Sequence, residues 1–129
     1  MKRVASNLNF IDIIGFLLFI VHSLLTATGL LLLKTSVNLF VRFNFDNLTQ
    51  LFNLKFALGL TFYLTAFFVS LIILNKYPLG VAASIMMSLS IVMSVVFGYF
   101  FLNEKISIQI IVGLSLLLAG ILTVYYGKD

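Results

Sequence analysis

Charge is what this chain has least of. Only 9% of its 129 residues are Asp, Glu, Lys or Arg, where a soluble domain carries roughly a quarter. Cysteine is absent, which excludes a disulfide framework and any thiolate metal site. His22 is the lone histidine, and the acids are Asp12, Asp46, Glu104 and Asp129. Metal-dependent and acid–base hydrolytic centres need several converging titratable groups. No catalytic residue, metal ligand or cofactor is therefore assigned, and the chain is not read as an enzyme. Its net charge of +4 would point to nucleic acid in a soluble protein. Here the basic residues flank apolar runs, where they anchor helices and set topology, so no nucleic-acid partner is expected.

What fills the chain is apolar. Hydrophobic residues make up 62% of it, and the mean hydropathy is +1.19. The remainder cannot build a water-facing shell, so the solvent is lipid. A bilayer span needs about 20 apolar residues, and four stretches qualify: about 10–33, 54–74, 79–102 and 106–126. They predict a single all-α, polytopic domain over 1–129 with four transmembrane helices. Met1-Lys2-Arg3 before the first run is like the start of a signal peptide. The run from Phe10 to Leu33 is too long for one and lacks a small-x-small cleavage site, so it reads as a retained helix.

Two connections are very short, which predicts helices 2, 3 and 4 as antiparallel neighbours. The connection 35–53 is longer, and its Leu39, Phe40, Val41, Phe43, Phe45, Leu48, Leu51 and Phe52 alternate with polar residues. It reads as an amphipathic stretch in the membrane interface or as a cap over the bundle. Four helices put both termini on one side, with Lys2, Arg3, Lys76 and Lys128; Lys34, Arg42, Lys55 and Lys105 face the other. The flanks balance. Such a chain inserts in both orientations or is oriented by a partner, unless Lys2 and Arg3 alone hold the N-terminus inside.

Polar groups within spans usually face the bundle interior. In helix 1, His22, Thr26 and Gly29 form a stripe beside Ser23, with Lys34 at its surface end. Helix 2 offers Thr61, Tyr63, Thr65 and Ser70. Helix 3 offers the rows Gly80, Ser84, Ser88 and Met86, Ser90, Ser94, Gly98, and helix 4 offers Gly113 and Gly120. The plainer reading is that small residues at this spacing only let helices approach. Against it stands the lone imidazole at mid-helix. No carboxylate lies deep in any helix, with Asp12 placed in the first turn of helix 1. A proton-coupled exporter of lipophilic cations needs such a carboxylate, whereas ammonium, imidazole and hydroxyl donors suit an anionic or neutral substrate.

Several motifs carry a resemblance. Gly29 to Lys34 closing helix 1, Tyr77-Pro78-Leu79-Gly80-Val81-Ala82 opening helix 3, and Leu102-Asn103-Glu104-Lys105-Ile106-Ser107 are similar to small drug/metabolite transporters. Gly113 and Ala119-Gly120-Ile121 resemble the end of an EamA-type repeat. The resemblance runs from about Leu24 through all four helices, and the 35–53 connection is longer than in typical small members. By that resemblance, the helix-1 glutamate of small multidrug resistance transporters falls on Thr26. Their helix-2 tyrosine matches Tyr63, and their helix-3 tyrosine and tryptophan fall on Ala83 and Met86. The other branch, flippase subunits for lipid-linked sugars such as undecaprenyl-phosphate aminoarabinose, also lacks that glutamate.

The resemblance implies half of an inverted-symmetry transporter, completed by dimerisation in a bacterial cytoplasmic (inner) membrane. The partner would be a second copy, with an antiparallel arrangement admitted, or a similar small subunit. The expected substrate is a lipid-linked sugar phosphate or another anionic or amphipathic metabolite. The alternative is a divergent exporter of lipophilic cations. Expected substrate-binding residues are His22, Thr26, Lys34, Tyr63, Ser84, Met86 and Ser90, with Gly113 and Gly120 at the dimer contact.

Overall fold

The computed structural model describes the backbone of residues 2–37 and 53–126 and the side chains of 13–36 and 53–123. It is all-helical: α1 Lys2–Val37, α2 Leu54–Lys76, α3 Leu79–Leu102 and α4 Ile108–Tyr126. Three helices contain stretches long and apolar enough to cross a membrane, namely Ile13–Ser36, Leu54–Lys76 and Leu79–Leu102. The fourth has a shorter apolar stretch, Ile108–Thr123.

The helix ends follow local chemistry. Asn53 caps α2, its side-chain oxygen accepting from the Lys55 N–H at 3.4 Å. Tyr77 is extended (φ −124°, ψ 151°), as the residue before a proline prefers, and Pro78 leads into α3. Asn103 ends α3 with φ 52°, a left-handed conformation that asparagine tolerates better than most residues. That turn lets the Glu104 N–H donate to the Gly98 carbonyl at 3.2 Å.

Two expected boundaries move. Helix α1 starts at Lys2 rather than near residue 10, because a helix extends as far as its backbone bonds hold and Lys2–Asn9 contains no proline or glycine. Asp12 consequently lies well inside α1, directly before the apolar span, and not in its first turn. Helix α4 starts at Ile108, two residues later than expected. Of the 35–53 connection, residues 35–37 complete α1, while the expected interfacial stretch falls on residues 38–52, outside the described ones.

Helix α1 is the hub. It packs most extensively on α2 and next on α3, whereas α2 and α3 touch each other little and α4 rests on α3. Helices 2 and 3, expected as antiparallel neighbours, therefore touch each other little, and α1 packs on both. Tyr77 and Pro78 tie two helix ends, and α1 fills the space that opens beyond them. Phe19, Ile73, Ala82, Ile85 and Met86 form the core cluster, with Leu18, Val69, Tyr77 and Leu89 against it. The Phe19 and Tyr77 rings lie 5.5 Å apart.

Toward the opposite end, α1 and α2 meet backbone to backbone. A Cβ placed on Gly29 would lie 3.1 Å from the Gly59 carbonyl oxygen, and one on Gly59 would lie 3.0 Å from the Leu33 amide nitrogen. Only glycine permits that approach, which is how apolar helices associate when lipid offers no hydrophobic drive. Around this interior the surface is apolar on many sides, with Phe68, Phe100, Phe101, Ile108 and Leu116 exposed. An outside this apolar is compatible with hydrocarbon as its solvent.

Candidate functional site

Where α2 and α3 diverge around α1, a cavity of about 380 Å³ remains. His22 and Thr26 reach it from α1, Tyr63, Phe67 and Ser70 from α2, and Ala83, Met86, Met87 and Ser90 from α3. None of its lining residues is acidic or carries a fixed charge. The helical stripe thus brings five expected residues to one place: His22, Thr26, Tyr63, Met86 and Ser90.

Most hydroxyls nearby bond to their own helix. Thr26 Oγ1 donates to the His22 carbonyl at 2.8 Å, Ser23 Oγ to Ile20 at 2.9 Å, and Ser70 Oγ to Phe67 at 2.6 Å. Such back-bonding consumes the only proton a hydroxyl has, leaving lone pairs alone for a ligand. Two atoms depart from the pattern. His22 Nδ1 and Ser90 Oγ are buried without a hydrogen-bond partner among the described residues, and both residues line this cavity. A buried polar atom left unmatched costs about 1–3 kcal/mol, which a ligand or water bonding there would recover. Ser90 can donate and accept, and the imidazole nitrogen does either according to its tautomer.

The other two expected binding residues lie elsewhere. Lys34 stands at a second cavity of about 430 Å³ between α1 and α3, walled by Leu30, Leu31, Ile91, Val95 and Phe97. Ser90 borders this cavity too, so the two spaces adjoin across it. Lys34 is not an isolated cation: its ammonium is ion-paired with the Glu104 carboxylate. Both side chains are about half exposed, at 61% and 46%, and a pair so wet contributes within about 1 kcal/mol. Gly98 makes room for it, since a Cβ there would sit 2.6 Å from Glu104 Oε2.

Ser84 faces a third space of about 420 Å³ between α3 and α4, together with Ser88, Gly113 and Gly120. The Ser84 hydroxyl donates to the Gly80 carbonyl at 2.7 Å. A Cβ on Gly113 or Gly120 would meet nothing within 4 Å, so within this chain neither glycine serves a close approach.

Sequence reasoning passed over Gly59 and the pairing of Glu104, and it placed Gly98 in a row of small residues without seeing that it seats Glu104. Glu104 could have been found, because the helix order puts it at the same end of the bundle as Lys34. Gly59 sits in an apolar helix with no spacing that marks it.

No family model, no curated protein and no solved structure matches the chain. Function therefore has to be argued from the cavities.

Proposed function

We propose that this protein is a transporter or flippase subunit that moves an amphipathic, anionic metabolite, such as a lipid-linked sugar phosphate, across a bacterial cytoplasmic membrane. The observation that carries the reading is the α1–α2–α3 cavity. It sits in an apolar bundle and, among the described residues, has no carboxylate and holds two polar atoms without partners, His22 Nδ1 and Ser90 Oγ. Uncharged hydrogen-bonding groups beside aromatic and methionine walls suit sugar hydroxyls better than a bare cation. Thr26, Tyr63, Ala83 and Met86 also lie there, the positions where the resemblance to multidrug exporters puts their binding residues.

In this reading all four helices span the membrane. An even number of helices leaves both ends of the chain on one side, so inverted symmetry requires a second protomer. That protomer is a copy of this chain or a similar small subunit, and it would use the room at Gly113 and Gly120.

The test is translocation in proteoliposomes. A fluorescent polyprenyl-phosphate sugar should cross with the parent protein and stop crossing with His22→Ala. If a quaternary ammonium ion is instead exchanged against a pH gradient, and His22→Ala abolishes that exchange, the cation-exporter reading replaces this one.

A further inference from the structure

We propose that the mouth of the α1–α3 cavity binds the anionic end of an amphipathic ligand, a phosphate monoester on an apolar chain, and that Glu104 is the internal counter-ion this anion displaces from Lys34. The choice of an amphipathic anion rests on the transport reading above. The anion is a monoester, and not the phosphodiester of a polyprenyl-phosphate sugar, because only the monoester exceeds a carboxylate in charge and in acceptor oxygens. The site itself rests on three separate observations.

First, the cavity has the polarity of such a ligand. Lys34 and Glu104 stand at its mouth, Leu30, Leu31, Ile91 and Val95 form its walls, and it reaches the buried Ser90, whose hydroxyl has no partner among the described residues. Second, the two charges are mounted differently. Lys34 belongs to α1, the most extensively packed helix, whereas Glu104 lies in the non-helical segment 103–107. The Glu104 backbone is pinned at the α3 cap by its N–H to Gly98. What swings away when the pair opens is therefore the carboxylate side chain alone, while Lys34 stays rooted on a helix that walls the cavity. Third, the balance of charge at this end is basic, with Lys34, Lys55 and Lys105 against Glu104 among the described residues. A half-exposed pair is weak, so an incoming phosphate, which offers more acceptor oxygens and more charge, competes well for the ammonium. Glu104 then keeps Lys34 neutralised while the site is empty, and yields it when the ligand arrives.

The experiment is binding of decyl phosphate to the full chain in neutral detergent, read by native mass spectrometry. Glu104→Gln should tighten binding roughly fivefold, the equivalent of one released surface ion pair. Adding Lys34→Gln to that variant should remove the gain. Gly98→Ala gives an independent route, since its Cβ pushes the Glu104 carboxylate off its seat while alanine favours the helix; it should tighten binding in the same direction. Unchanged or weaker binding in both Glu104→Gln and Gly98→Ala overturns the proposal. Inorganic phosphate in hundredfold excess should fail to displace the decyl phosphate; displacement would overturn the amphipathic assignment. Because this readout is binding alone, a retained gain with no translocation sinks only the transport reading. A lost gain with intact translocation sinks only the counter-ion.

Discussion

Helices α1 and α4 are built from nearly the same alphabet, leucine and isoleucine with interspersed glycine and hydroxyl residues, yet they occupy opposite situations. On α1, Gly29 lies against the α2 backbone, and Ser23 and Ala27 are buried. On α4, Gly113 and Gly120 have open space, and Ile108, Leu116 and Leu122 are more than half exposed. A glycine in an apolar helix thus has no fixed meaning. Its role is decided by whether another backbone arrives, and among the described residues one arrives at Gly29 of α1 and Gly59 of α2 but at neither glycine of α4. What α1 holds together is the three-helix unit with the polar cavity; α4 keeps its face available.

The contrast can be broken most sharply by filling the glycines. Gly29→Ala and Gly59→Ala should each destabilise the protein by about 1–3 kcal/mol through overpacking, whereas Gly113→Ala and Gly120→Ala should be neutral or stabilise the helix by up to about 1 kcal/mol. Reversible denaturation in mixed micelles measures both. Loss of oligomers on the α4 substitutions, with monomer stability kept, would place a partner in the α3–α4 space.

Side-chain truncation gives the next largest difference. Ile73 is fully buried, so Ile73→Ala should cost about 2 kcal/mol, the low end of a soluble-core deletion, because lipid supplies no transfer term. Leu116→Ala on α4 should cost within about 0.5 kcal/mol.

Smaller effects separate function from folding. Ser90→Ala removes an unmatched polar atom, so stability should hold or rise by less than about 1 kcal/mol while translocation falls. A parallel loss of both would make Ser90 merely structural. Lys34→Gln should likewise move stability by no more than about 1 kcal/mol, despite the position of its ion pair at a cavity mouth.

Much of the fold was legible because lipid imposes a blunt rule: long apolar runs become helices. The runs ending at Lys34, Lys76 and Leu102 mark the C-terminal ends of α1 to α3 within a few residues, although α1 begins eight residues earlier than its apolar run. The cavity was partly legible as well, since i, i+4 spacing put His22 and Thr26 on one stripe and Met86 and Ser90 on another. What the sequence left open was which stripes would meet. Ser84 and Ser90 look alike in helix 3, but one faces α4 and the other α1, a difference set by how α1 enters between its neighbours. The same geometry gave Lys34 a partner in Glu104, far along the chain, which no local pattern encodes.

In the proposed reading, the largely apolar cavity between α1, α2 and α3, with its unpartnered His22 and Ser90 atoms, holds an amphipathic ligand. Native mass spectrometry of the parent and of a His22→Ala/Ser90→Ala variant, each loaded with the same polyprenyl-phosphate sugar, tests it most directly. The account predicts a retained adduct on the parent that is lost from a variant of unchanged stability. Equal retention by both, or none by either, would contradict it.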